Sequence, residues 1–236
     1  MKQKVKGIFS KYKHAWILCY FFLYMGWFVY LEGRTNVEHV AIHSWLDDLI
    51  PFCEYFIIPY LLWFIYIAVT IAYFLLTNKE MYYKCCAFLF IGMTICLAIY
   101  TIFPNQQNLR PSQFSNENIF TNLVQMIYHS DTCTNVCPSI HVFNSIGVHI
   151  AIWKSEQLRR KTWLQICSGV LALSICLSTV FLKQHSVVDG ICGILLAIVM
   201  YIVVYKVDYK KLFRREKALL NEMKKDVLPS KNVKEM

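Results

Sequence analysis

The sequence from Ser178 to Gly190 reads STVFLKQHSVVDG and joins two long apolar runs through a short polar turn. Within it, His185 and Asp189 are four residues apart, a spacing that places both on one face of a helix. Asp189 can therefore accept a hydrogen bond from one ring nitrogen of His185 and leave the other nitrogen free. An imidazole held in this way has a fixed tautomer and can act as a nucleophile. Such a pair also occurs as a purely structural contact, so the spacing alone leaves both interpretations open.

Apolar runs dominate the rest of the chain. Of the 236 residues, 57% are hydrophobic and 17% are charged, whereas soluble domains carry roughly 25% charged residues. Most runs approach or exceed the ~20 residues that cross a bilayer as a helix, and the last does so if its helix begins near His185. We therefore predict an all-α bundle of six transmembrane helices over residues 14–205. The runs are His14 to Leu31, Tyr55 to Asn78, Cys85 to Leu109 (apolar as far as Phe103), Cys137 to Trp153, Thr162 to Leu182 and Gly190 to Tyr205.

Positive charges predict the orientation of this bundle. With six spans, all but three of the 24 Lys and Arg residues fall at one end, and the exceptions are Arg34, Arg110 and Lys183. By the positive-inside rule, the basic N-terminus (residues 1–13) and the basic tail (residues 206–236) are both cytoplasmic. The net charge of +9 then reflects topology and an anionic membrane surface, so nucleic acid is not expected as a partner. The short loops and the lack of a retention signal favour a plasma membrane.

Both termini allow a second interpretation. The first apolar run follows several lysines, as in a signal peptide, but it stays bulky to its end and has no small-residue cleavage pattern. We interpret it as a retained span. The tail is expected either to lie as a helix on anionic lipid or to be solvated.

Several polar side chains outside the opening stretch suit metal binding, a disulfide or packing between helices. In the segment from Glu32 to Ile50, His39 and His43 lie near two carboxylates, but no third metal ligand is suitably spaced, so a solvated loop or interfacial helix is expected. Cys133 and Cys137 are four apart and could form a disulfide in an oxidising compartment, which the spacing alone does not decide. His149, inside an apolar run, is expected to form a hydrogen bond between helices.

Three separate segments place polar residues at the outer ends of spans three to six. Arg110 lies in the long segment after the third span, and Lys183 precedes His185 by two residues. The fourth span opens with Cys137-Pro138-Ser139-Ile140-His141, in which Pro and Ser suit the first turn of a helix. The free amides and positive dipole end of such a turn attract an anion. One pocket at one membrane surface is therefore expected to hold these cations, histidines and carboxylate.

Together the three segments resemble the signature motifs of the type 2 phosphatidic acid phosphatase superfamily, which are integral-membrane lipid phosphate phosphatases. The motifs lie in order within residues 103–190: Arg110-Pro111, then Pro138-Ser139-Ile140-His141, then Ser178 with His185 and Asp189. The sequences of the three motifs are most similar to those of the branch that includes the inositol phosphorylceramide synthases. The architecture implied is a six-helix bundle with its active site at the extracytoplasmic face.

The resemblance also implies a role for each motif residue. His185 attacks phosphorus to give a phosphohistidine, Asp189 orients it, and His141 protonates the leaving lipid alkoxide and then activates water. No metal and no cofactor are implied, because protein groups hold the phosphoryl oxygens. Those phosphate-binding groups are Arg110, Ser139 and Lys183.

This chain departs from the family motifs at three positions. Phe103 stands where the first motif usually has Lys, Thr179 stands where the third usually has Arg, and Ile140 stands where the second usually has Gly. Two phosphate-binding cations are thus missing, and Lys183 is placed to replace one of them.

The function expected from these features is hydrolysis of a lipid phosphate or diphosphate at a membrane. One alternative uses the same phosphoenzyme but transfers the phospho group to a lipid or sugar alcohol. A second alternative, from another class, is a non-enzymatic transporter or anion binder, although the span interiors carry almost no charge. The sequence predicts neither the particular lipid nor the oligomeric state.

Overall fold

The computed structural model describes residues 12–114 and 116–208 of the chain. This part is almost entirely helical, which confirms the predicted all-α class. The predicted basic N-terminus, up to residue 11, and the predicted tail from residue 209 lie outside the described residues.

The helices follow the apolar runs closely. They are α1 (Tyr20–Glu32, preceded by the 3-10 segment Lys13–Cys19), α2 (Trp45–Leu49), α3 (Ile57–Thr77, preceded by the 3-10 turn Glu54–Phe56), α4 (Lys79–Ile102), α5 (Ile119–Ser130), α6 (Ile140–Lys154), α7 (Glu156–Arg159), α8 (Thr162–Phe181) and α9 (Val187–Tyr201, continued by the π-helical turn Ile202–Lys206). Two short strands, β1 (Val40–Ala41) and β2 (Asn105–Gln106), pair in parallel.

Among the described residues, five helical segments are long and apolar enough to cross a membrane. They are Lys13–Glu32, Glu54–Thr77, Lys79–Ile102, Thr162–Phe181 and Val187–Lys206. The fourth predicted span corresponds to α6, which has 15 residues and a length of about 22 Å, short of the ~30 Å hydrocarbon core. It is shorter than its apolar run because Ser139 caps it after Pro138, so the helix begins at Ile140 rather than Cys137.

Helix α6 lies at the centre of the bundle. It packs most extensively against α8 and α9, and also against α4 and α3. Most of its side chains are buried, whereas the longer helices around it expose large apolar side chains on their outer faces. A helix this short and this enclosed is shielded by its neighbours from the surroundings of the bundle.

A polar contact in the middle of the bundle confirms the expectation for His149. Its Nδ1 lies 3.0 Å from Ser168 Oγ on α8, and the same hydroxyl is 2.6 Å from the Tyr66 hydroxyl on α3. Three helices are thus joined by hydrogen bonds where the surrounding side chains are apolar.

Close packing of α4 against α6 depends on Gly92. A Cβ at this position would lie 1.9 Å from Cζ of Phe143, whose buried ring stacks on Phe88 with ring centroids 5.1 Å apart. The helix axes can approach this closely only because Gly92 has no side chain.

We expect Gly92→Ala to destabilise the protein by about 1–3 kcal/mol, since the added methyl group forces the Phe143 ring out of place. Thermal unfolding of the purified protein in detergent measures the effect. Gly26→Ala is the matched control, because a Cβ at Gly26 meets nothing within 4 Å. Equal melting temperatures for the two variants would contradict the packing argument.

Candidate active site

His185 lies in a tight turn between α8 and α9. The backbone N–H groups of Gln184 and His185 both donate to the carbonyl of Thr179, at 2.9 and 3.0 Å, and Lys183 takes a positive φ of 54°. The turn ends at Ser186, whose hydroxyl accepts from the Val188 N–H at 3.2 Å and so caps α9. We refer to this end of the bundle, where α8 ends and α9 begins, as the site end.

The predicted pair of His185 and Asp189 is present. His185 Nδ1 lies 3.3 Å from Asp189 Oδ2, and both side chains are buried. The same carboxylate oxygen accepts from the Ser186 backbone N–H at 2.9 Å, which completes a capping box on α9. A carboxylate can only accept, so in a neutral His185 the proton is on Nδ1 and the lone pair is on Nε2.

The free nitrogen of His185 points at the second predicted histidine. His185 Nε2 lies 3.4 Å from His141 Nδ1, although the two residues are 44 positions apart in the chain. His141 sits in the first turn of α6, and its ring packs between Tyr60 and Trp63 of α3, with ring centroids 4.6 and 4.3 Å away. The Tyr60 hydroxyl in turn donates to Asp131 at 2.6 Å. The aromatic rings therefore fix the position of His141 beside His185.

Ser139 is connected through the backbone to Asp189, the partner of His185. It is fully buried, its hydroxyl accepts from the Val142 N–H at 3.4 Å as the cap of α6, and its own N–H donates to the Asp189 carbonyl at 3.0 Å. Asn105 holds the preceding turn, because its side-chain oxygen accepts from the N–H groups of Val136 and Cys137, both at 2.8 Å. The start of α6 is thus fixed against the start of α9.

Arg110 reaches the neighbour of His185. Its Nη2 donates to the side-chain oxygen of Gln184, and the guanidinium also donates to the carbonyls of Tyr128 at 3.0 Å, Asp131 at 2.6 Å and Thr132 at 2.8 Å. Its Nε is buried without a partner in the described part of the chain, and so is the amide nitrogen of Gln184. Two N–H donors, one on Arg110 and one on the residue before His185, therefore have no partner among the described residues.

The Lys183 side chain reaches the segment before α3. Its ammonium donates to the carbonyls of Asp47 at 2.7 Å and Ile50 at 2.5 Å, in the segment before α3. Gln107, after β2, donates from its side chain to the Lys183 carbonyl at 2.8 Å. The phosphate-binding role expected for Lys183 stays a prediction, and the lysine already has two acceptors within the protein.

The sequence did not indicate that Asp47 is buried or that it contacts α9. A solvated loop or interfacial helix is expected for the segment around it, and His43 and Asp48 are indeed exposed, with a 3.0 Å contact between them. Asp47 itself is 2% exposed and accepts hydrogen bonds from Ser186 and Val187 at the start of α9. The one available signal was the pattern Ser44-x-x-Asp47, a capping box for α2, which says nothing about contacts with α9.

Two other expectations concern metals and thiols. Within residues 12–114 and 116–208, no three His, Cys, Asp or Glu side chains come together as a metal-binding group. The thiols of Cys133 and Cys137 are both free. The candidate site is therefore built from histidine, carboxylate, guanidinium, amide and hydroxyl groups.

Comparison with known proteins yields one match. The family model described as the PAP2 superfamily matches residues 104–213, a stretch that contains all three motifs and every predicted site residue. No curated protein and no solved structure gives a significant match. The similarity to the inositol phosphorylceramide synthase branch stays a prediction. This match confirms the predicted similarity of residues 104–213 to the PAP2 superfamily.

Proposed function

We propose that this protein is a membrane phosphatase that hydrolyses a lipid phosphate or diphosphate through a phosphohistidine at His185. The match of residues 104–213 to the PAP2 superfamily model supports phosphatase-type or phosphotransferase-type activity in general. The observation that carries the specific proposal is the position of His185, with Nδ1 facing Asp189 at 3.3 Å and Nε2 facing His141 at 3.4 Å. This arrangement suits a nucleophile with an orienting carboxylate on one side and an acid–base group on the other.

In the first step, the lone pair on His185 Nε2 attacks phosphorus and the bond from phosphorus to the lipid oxygen breaks. The Nδ1 proton stays on the ring, and the negative charge of Asp189 offsets the positive charge that the imidazole gains. A protonated His141 donates its proton to the departing lipid oxygen. Because Nε2 and His141 Nδ1 are in direct contact, the phosphoryl group has to enter between the two rings.

In the second step, water attacks the phosphohistidine. His141, now neutral, takes a proton from this water, the nitrogen–phosphorus bond breaks, and phosphate leaves. His185 returns to its starting form with Nδ1 still protonated, and His141 is again ready to act as an acid. Both steps therefore use the same two imidazoles, and protons and charge balance over the cycle.

Protein donors are proposed to hold the phosphoryl oxygens, where charge develops in the transition state. Arg110 is supported by its unpartnered Nε, and Ser139 by its place at the N-terminus of α6. For Lys183 to contribute, its ammonium must use its third proton or release one of its two carbonyl partners. These groups do the work that a metal ion does in other phosphatases, so no metal is required.

The proposed setting is a six-span bundle whose site end faces away from the cytoplasm. Helix α6, the fourth span in chain order, would complete the six. The longer helices around it would compensate for its short length. The support for this orientation is the strong bias of Lys and Arg toward the opposite end. Both termini would then lie on the cytoplasmic side of the plasma membrane. A lipid headgroup would then meet the site at the outer membrane surface.

The test is phosphate release from a panel of lipid phosphates and diphosphates by the purified protein in detergent, with EDTA present. We expect release that EDTA does not reduce. Lipid and sugar alcohols added in a parallel series report transfer of the phospho group. Turnover of substrate into alcohol-linked products without free phosphate would replace hydrolysis by transfer, and a folded protein that does neither would refute the enzymatic proposal.

A further inference from the structure

Residues 33–50 lie outside the stretch that matches the PAP2 family model, yet they contact the turn that carries His185. Strand β1 pairs with β2, and α2 follows within a few residues. Asp47 on α2 is 2% exposed, although ionised carboxylates are rarely so buried unless they have partners. Its partners therefore indicate what the segment does.

Both oxygens of the Asp47 carboxylate are used, and mainly by α9. Oδ1 accepts from the Val187 backbone N–H at 2.8 Å. Oδ2 accepts from the Ser186 hydroxyl at 2.6 Å and from the Ser44 backbone N–H at 2.7 Å. A negative charge bound to the free amides at a helix N-terminus stabilises that end of the helix. Asp47 is thus a second cap on α9, supplied from 140 residues away.

This cap connects directly to the nucleophile. Ser186, which donates its hydroxyl proton to Asp47, donates its backbone N–H to Asp189 Oδ2 at 2.9 Å. That same oxygen faces His185 Nδ1 at 3.3 Å. The other oxygen of Asp189 is buried without a partner in the described part of the chain, so Oδ2 alone links the carboxylate to the turn. Any movement of Ser186 therefore alters the hydrogen bond that orients His185.

The same turn is held from a second side. The Lys183 ammonium donates to the Asp47 and Ile50 carbonyls at 2.7 and 2.5 Å, and Lys183 has the strained positive φ of 54°. The segment around α2 thus contacts the turn both before and after His185. Two contacts that flank one residue fix its backbone more firmly than either would alone.

We propose that Asp47 is a positioning residue for His185, and that its contacts hold the turn that carries His185 against the start of α9. The proposal rests on the proposed role of His185 as the nucleophile. Asp47 does not act on the substrate; it keeps Ser186 and Asp189 where they hold the imidazole. Its loss should therefore slow the chemical step more than it weakens substrate binding.

The test compares Asp47→Asn with Asp48→Asn in the full-length protein in detergent. Both substitutions remove one charge from α2, but the Asp48 carboxylate is exposed and contacts only His43 among the described residues. The asparagine at position 47 keeps one acceptor and replaces the other by an NH₂ group, so it cannot accept from both Ser186 and Val187 as the carboxylate does. Hydrogen–deuterium exchange of the peptide covering residues 183–190 is measured together with kcat and KM for phosphate release.

We expect faster exchange in residues 183–190 and a kcat lowered by about 10- to 100-fold for Asp47→Asn, since small displacements of a reacting group have effects of this size. KM should stay within about threefold of the wild type, and Asp48→Asn should match the wild type in both measurements. If Asp47→Asn does not fold, Ser186→Ala removes the opposite partner of the same bond and is judged by the same measurements.

Two results would overturn the proposal. Exchange in residues 183–190 that is equal for the two variants would show that Asp47 does not hold the turn, whether or not the protein is a phosphatase. Faster exchange with unchanged kcat would show that the turn can loosen without consequence for catalysis. Failure of the wild type to release phosphate would instead refute the proposed function, and the exchange measurement would still decide whether Asp47 holds the turn.

Discussion

His185→Ala should reduce phosphate release by about four orders of magnitude or more, to the level of a protein-free blank. Removal of a covalent nucleophile has an effect of this size because no neighbouring group can form the intermediate in its place. His141 is the other imidazole in direct contact, at 3.4 Å, but among the described residues no carboxylate forms a hydrogen bond with its ring as Asp189 does with His185. The measurement is the rate of phosphate release at saturating lipid phosphate.

The control for this variant is His43→Ala. His43 also lies outside the spans, but its side chain is exposed and pairs only with Asp48 among the described residues. It should retain wild-type activity, and both variants should elute as monodisperse protein from a sizing column. Activity of His185→Ala within tenfold of the wild type would show that His185 is not the nucleophile.

His141→Ala should lower kcat by about 10²- to 10⁴-fold, the usual contribution of an acid–base group. The lipid oxygen would then leave as an unprotonated alkoxide, and water would attack without a base. Substrates with good leaving groups, such as a nitrophenyl phosphate, do not need the proton in the first step. For these substrates, the variant should accumulate phosphoenzyme, because only the second step remains slow.

His149→Ala is the matched control, since His149 lies on the same helix but contacts Ser168 in the middle of the bundle. It should keep a wild-type kcat and show at most a lower melting temperature. An equal loss of kcat in the two histidine variants would mean that α6 is generally disturbed and that His141 has no special role.

The sequence predicts the fold well where one helix is set by one apolar run. Four of the five spans around α6 begin and end within three residues of the predicted limits, because lipid-facing helices must be apolar over nearly their full length. The exception is α4, which begins at Lys79, six residues before the predicted Cys85. Helix α6 itself is shorter than its run. Its start is set by the Ser139 cap and by Asn105, a residue more than thirty positions away, and such a contact leaves no trace in local hydropathy.

The candidate site, like the fold, is predicted only in part by the sequence. The pair of His185 and Asp189 follows from helical spacing, and the approach of His141 follows from the count of spans between the motifs. Neither the helical spacing nor the count of spans predicts where a side chain of the site points. Lys183 lies two residues before His185 but donates to carbonyls of residues 47 and 50, because the positive φ of Lys183 turns the chain at that point.

Asp47 marks the limit of what the sequence predicts. A carboxylate in a short polar loop normally faces water, and the adjacent Asp48 does so. Which of two neighbouring aspartates is buried depends on how residues 33–50 fold back over the bundle, and this depends on the pairing of β1 with β2. Contacts between residues this far apart arise only from the complete fold.

The central claim is the covalent intermediate, and trapping it is the most direct test. The wild-type protein would be mixed with a ³²P-labelled lipid phosphate, quenched within one turnover in alkali, where a bond from phosphorus to imidazole survives, and digested for peptide mapping. We predict label on the peptide that contains His185, lost on brief acid treatment and absent from His185→Ala. Label on another residue, or full turnover without any labelled protein, would contradict the proposed mechanism.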